Sequence, residues 1–162
     1  MKWFVRFIWF VILTVVTQVG GCVYLFNLFV SYKWFGNRKW FWLRRQILFG
    51  LIYVFVSLML VPTLAKLNNR RPLPFFNVST LQPQNWFTVI CNRHYVHEDL
   101  YNVITAVSAD FDTESIENQT TLSLNYLDAN FPLFDGFPLI PHLSHNDGKK
   151  LDISFRYKYK GE

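Results

Sequence analysis

FIWFVILTVVTQVGGCVYLFNLFV, residues 7–30, decides what kind of protein this is. Only Thr14, Thr17, Gln18, Gly20, Gly21 and Asn27 interrupt its apolar character. A helix of that length, at about 1.5 Å per residue, spans a hydrocarbon core of about 30 Å with some tilt. A soluble core helix keeps a polar face, and this run has none. A second run, Ile47–Leu64, carries no charge, and Pro62 near its end is expected to perturb only the last turn. Composition agrees: the 162 residues are 51% hydrophobic, 19% aromatic and only 17% charged, which points to membrane segments rather than a simple soluble domain.

Between the runs, Ser31–Gln46 holds Lys33, Arg38, Lys39, Arg44 and Arg45 and no acid, so it is expected in the cytoplasm. Trp34, Phe35, Trp40, Phe41 and Trp42 suit the headgroup level, where an amphipathic ring satisfies both phases. Lys2 and Arg6 pull the N-terminus inward, but five charges outweigh two. The reading is a two-helix transmembrane hairpin, residues 1–66, with both ends outside and everything after Lys66 extracytoplasmic. A competing reading takes Val19-Gly20-Gly21-Cys22 as a lipoprotein signal with Cys22 lipidated. The apolar run that continues through Val30 argues against it.

The net charge of +5 does not indicate a nucleic-acid partner. All eleven acids lie at or after Glu98, so the eight Lys and Arg of residues 1–66 stand unopposed while residues 67–162 sum to −3. A basic surplus that flanks apolar runs is explained by membrane topology. Cys22 and Cys91 are too differently placed to suggest a disulfide, and no CxxC spacing offers a thiolate zinc site.

Residues 67–85, with Pro72, Pro74 and Pro83, read as an extended linker, and 86–162 as a small, partial α+β domain. Within it Trp86–Cys91 looks like a strand. Leu100, Val103, Ile104 and Val107 recur at helical spacing in Glu98–Phe111. Thr120–Leu127 alternates as a half-buried strand, Asn130–Pro141 is a proline-rich aromatic loop, and Leu151–Lys160 alternates more cleanly than any other segment. Asn77-Val-Ser79 and Asn118-Gln-Thr120 match short glycosylation sequons, which also arise by chance. No phosphate-binding glycine loop and no Gly-x-Ser-x-Gly elbow is present.

The chemistry-bearing stretch is His142-Leu-Ser-His145-Asn-Asp-Gly148-Lys-Lys-Leu-Asp152. Imidazole nitrogen and carboxylate oxygen are usual ligands of catalytic zinc, and Gly148 can supply the reversal that brings His145 over Asp152. Asn146-Asp147-Gly148 is equally an ordinary hairpin turn with exposed histidines nearby. His94-Tyr-Val-His97-Glu98 is a weaker metal candidate, because it precedes the helical segment and reads better as polar boundary residues.

The His142–Asp152 segment resembles the first zinc motif of the penicillin-insensitive murein endopeptidases, within the wider lysostaphin, D-Ala-D-Ala peptidase and hedgehog-fold group. The resemblance implies His145 and Asp152 as zinc ligands and His142 as an additional catalytic histidine. It also implies peptidoglycan cross-links as substrate and the bacterial inner (cytoplasmic) membrane as location, with the C-terminal part periplasmic. It covers about a dozen residues. The family's third ligand comes from a downstream His-x-His motif that is absent here, and the chain stops ten residues after Asp152. The expectation is therefore a truncated product with half a zinc peptidase domain, inactive by itself. The alternative is a non-enzymatic membrane protein with an extracytoplasmic binding domain.

Overall fold

The computed structural model describes residues 2–35, 40–76, 81–117, 120–140 and 143–159. The apolar stretch 7–30 is not one span. It forms two 16-residue helices, α1 (Lys2–Thr17) and α2 (Gly20–Phe35). The break is at Gln18, whose φ of 65° lies in the left-handed region. Thr17 Oγ1 bonds the Leu13 carbonyl at 2.8 Å and accepts from the Gly20 N–H at 2.8 Å, so one hydroxyl closes α1 and opens α2. A Cβ on Gly20 would strike the Thr17 hydroxyl, and one on Gly21 would strike Thr14 Oγ1 and the Phe10 carbonyl. The two glycines thus let α2 fold back tightly along α1.

α2 packs in turn on α3 (Phe41–Phe55), through an edge-on Tyr24–Phe49 pair and a bond from Asn27 Nδ2 to the Arg45 carbonyl at 3.2 Å. α3, a π-helical turn (Val56–Leu60) and α4 (Val61–Leu67) run on as one 27-residue helix, about 40 Å long. By length and composition it is apolar enough to cross a membrane, with α1 contributing a shorter apolar helix. It starts earlier and ends later than the expected 47–64. Pro62 does not end it; the widened π turn lies just before the proline, where the missing N–H would otherwise orphan the Leu58 carbonyl.

The packing of three helices also differs from the expected two-helix hairpin. Trp9 and Leu13 of α1, Tyr24 of α2, and Trp42 and Arg45 of α3 line one cleft, so the start of α1 lies at the same end as the start of α3. The Gln18 turn lies at the other end, where Val19 packs with Val61, Ala65 and Tyr95. Arg6 therefore shares an end with Lys33, Arg44 and Arg45 instead of opposing them.

The rest is a mixed α+β unit. β1 (Arg70–Pro72) pairs antiparallel with β3 (Tyr95–His97). A second sheet has the order β2-β4-β5: β2 (Leu81–Pro83) is parallel to β4 (Thr120–Tyr126), and β5 (Ile153–Tyr159) is antiparallel to it. α6 (Glu98–Glu117) covers β4, burying Ile104 with Leu73, Leu81, Val96, Leu124, Tyr126 and Ala129. The alternating and helical patterns of 98–159 are thus realised. Residues 67–85 are not a plain linker, since they supply β1, β2 and the fully buried Leu73 and Leu81. Trp86–Cys91 is not a strand either: Asn85 caps a short helix, α5 (Trp86–Ile90), by accepting from the Thr88 N–H at 3.2 Å.

The two parts are tied by polar contacts. Gln18 Oε1 accepts from the Leu133 N–H at 2.8 Å. Tyr53 donates to the Ile90 carbonyl at 2.6 Å, and Asn92 Nδ2 reaches Tyr53 Oη and Ser57 Oγ, each at 3.1 Å. The tight α1–α2 approach is testable. Gly21→Leu should lower stability by about 1–3 kcal/mol through overpacking, read as denaturation of the detergent-solubilised protein at lower SDS. Gly50→Leu is the control, because a Cβ there meets nothing within 4 Å.

Candidate functional site

The pairing of β4 with β5 continues past both strand ends. Leu127 N–H bonds the Asp152 carbonyl at 2.9 Å and Asp152 N–H bonds the Asp128 carbonyl at 3.0 Å, which fixes the Asp152 backbone. Upstream, the chain reverses at Gly148, whose φ is +73°. Asp147 Oδ1 accepts from the Lys149 N–H at 2.9 Å in an Asx turn, and that bond, helped by the neighbouring lysines, holds the Asp147 carboxyl below its ordinary range. The Gly148 carbonyl accepts from the His97 N–H at 2.7 Å. A Cβ on Gly148 would sit 3.1 Å from that nitrogen and 3.5 Å from the Arg70 guanidinium.

The result is the juxtaposition that the sequence suggested. His145, buried at 7% exposure, brings Nε2 to 3.3 Å from Asp152 Oδ1, and the aspartate is half-open to solvent. Two ligands on a tetrahedral zinc, each bonded at about 2.1 Å, are about 3.4 Å apart. The observed separation thus fits a long hydrogen bond and fits two corners of a metal tetrahedron. Among the described residues no third His, Cys, Asp or Glu joins them. His142 lies outside the described residues, as do the asparagines of both sequons.

Neighbouring charged groups are committed elsewhere. Asp128 Oδ2 pairs with Arg93 at 2.8 Å, and the same guanidinium donates to the Ile140 carbonyl at 2.9 Å. Asp135 pairs with Arg70, and Glu98 with Arg71. His97 Nδ1 lies 3.2 Å from Asp99. His94 is not a polar boundary residue but a core one, wedged edge-on against Phe75 and beside Tyr95. Burial pushes its pKa down to about 4, with a contact to the Thr88 backbone opposing the shift. Cys91 is buried, with its thiol pKa raised by desolvation, whereas Cys22 lies on the exposed face of α2.

Arg70 and Arg93 are positioning residues that sequence reading missed. Arg70 bonds the Phe131 carbonyl as well as Asp135, beneath Gly148. One signal was available. No acid precedes Glu98, so any arginine buried early in the α+β unit must pair with a late carboxylate.

Two outcomes follow from this geometry. Gly148→Ala combines a left-handed backbone with the close His97 nitrogen and should cost about 1–3 kcal/mol, read by thermal unfolding of the full chain. His94 makes stability pH-dependent. Its neutral form is favoured in the fold, so the unfolded chain binds the proton first. Stability is full above pH 6.5, falls as pH drops towards about 4, and loses roughly 3 kcal/mol in all. His94→Phe should flatten that part of the pH profile in denaturation followed by circular dichroism.

Comparison with protein-family models, with curated proteins and with solved structures finds no match.

Proposed function

We propose that this is a membrane-anchored protein whose α+β unit carries two ligands of a zinc hydrolase site, His145 and Asp152, of the murein-endopeptidase type. The observation that carries the reading is the 3.3 Å approach of His145 Nε2 to Asp152 Oδ1 across a glycine at φ +73°. The substrate class is the peptide cross-link of peptidoglycan, taken from the motif's resemblance. Bound zinc would polarise an amide carbonyl and lower the pKa of a water molecule. The chain's own part is to present an imidazole nitrogen from a buried position and a carboxylate on a backbone held by two hydrogen bonds. The third donor that a catalytic zinc requires must come from outside the described residues.

Anchoring is supported by the 27-residue apolar helix and by the charge layout. Arg6, Lys33, Arg44 and Arg45 share one end, which the positive-inside bias assigns to the cytoplasm. The α+β unit, with every acid, is at the other end and so faces outward. Trp86, Phe87 and Ile90 of α5 are exposed beside the Tyr53 junction, as expected of rings resting at a membrane surface.

A second reading is favoured by the same pair. His145 and Asp152 lie within reach of each other, so they serve equally as a structural link in a non-enzymatic envelope-binding unit. Zinc titration of the full chain in detergent, against a chelating dye, separates the two. The hydrolase reading expects measurable affinity that drops at least about tenfold in His145→Ala and in Asp152→Ala. Affinity unchanged in both variants leaves the binding-protein reading alone.

A further inference from the structure

At the end of the helices away from the α+β unit, α1 and α3 both pack on α2 and leave a cleft of about 450 Å³ between them. Its walls are Trp9 and Leu13 from α1, Tyr24 from α2, and Trp42, Gln46 and Phe49 from α3. Into this aromatic cleft comes one cation, Arg45. Its guanidinium carbon lies 5.9 Å from the Tyr24 ring centroid. Its Nε is buried, and no group among the described residues accepts a hydrogen bond from it. A ring face satisfies part of the cation's field but not its in-plane N–H donors. Nor can the helices supply an anion: residues 1–66 hold eight Lys and Arg and no acid.

We propose that this cleft binds one anionic phospholipid, with its phosphate on Arg45 and its glycerol and first methylenes against Trp9, Leu13, Trp42 and Phe49. Charge complementarity selects the anion, since the guanidinium fork matches phosphate oxygens and its buried Nε has no acceptor among the described residues. The wall selects a lipid over free phosphate. Leu13, Phe49 and two indoles would contribute nothing to a small hydrated ion, whereas they suit the boundary between headgroup and acyl chain. Lys33 and Arg44 add positive potential at the same end. Lipid wedged there would bridge α1 and α3, which otherwise hold together through α2. The inference rests on the membrane part of the proposed function and is independent of the zinc site.

Native mass spectrometry of the full chain, released from a neutral detergent with phosphatidylglycerol and phosphatidylcholine at equal concentration, tests it. One phosphatidylglycerol should be retained in preference, and Arg45→Gln should reduce that preference about fivefold, the share of one cation near an anionic surface. Arg44→Gln should leave most of it, and Trp42→Ala should weaken retention. Arg45→Lys, which keeps the charge and removes the fork, guards against a folding defect and should fall between. Equal retention of the two lipids, or an Arg45→Gln variant like wild type, overturns the proposal. So does inorganic phosphate alone displacing the phosphatidylglycerol, which would mark a simple anion site. Extraction of the protein from membranes by alkaline carbonate would instead defeat the membrane reading on which the proposal stands.

Discussion

One buried cation organises the α+β unit. The Arg70 side chain is 1% exposed and exchanges its water for the Phe131 carbonyl and the Asp135 carboxylate. A guanidinium taken out of water must find such partners, and Asp135 stays largely hydrated, so most of the desolvation falls on the arginine. The pairing of β1 with β3 sets where Arg70 emerges, and the loop that follows Asn130 is drawn down onto it. Gly148 then closes over the guanidinium, where a side chain would crowd both Arg70 and the His97 nitrogen. The approach of His145 to Asp152 depends on that closure, because the two residues lie on either side of the glycine.

A second constraint acts where the helices meet this unit. Polar groups within an apolar helix need partners, and here each part supplies them to the other. The π turn at Val56–Leu60 offers Ser57, the preceding turn offers Tyr53, and Asn92 meets both from a left-handed backbone at φ 57°. Asparagine tolerates that conformation better than most residues. Gln18 does the same from the α1–α2 turn, accepting from Leu133. These contacts join the Val19, Val61, Ala65 and Tyr95 cluster into a shared interface, so the α+β unit is seated on the helices rather than tethered by a free linker.

Much of the local structure was legible because it is periodic. The alternation of 120–127 and 151–160 and the helical spacing of 98–111 became β4, β5 and α6. The turn between His145 and Asp152 was legible for a different reason: a glycine at that spacing marks a reversal, although Arg70 and His97 hold the reversal in place. Three of the readings that failed did so for a nonlocal reason. Residues 7–30 looked like one span because hydropathy cannot see that Gly20 and Gly21 need α1 beside them. Residues 67–85 looked like a linker because Leu73 and Leu81 find their core neighbours well beyond that segment, in Val96, Ile104 and Leu124. His94 looked like a boundary residue because its burial is made by Phe75 and Tyr95, not by its own segment.

The sequence by itself determined the apolar helices, the separation of basic from acidic charge along the chain, and the turn that joins a histidine to an aspartate. Composition, charge order and short spacing are properties of the chain before it folds. Only the tertiary structure decided that α1 folds back on α2, that the early basic residues gather at one end, and that Arg70 and Arg93 find Asp135 and Asp128. Those outcomes depend on burial. A guanidinium, a glycine or an imidazole takes its role from what removes its water, and residues far along the chain do that.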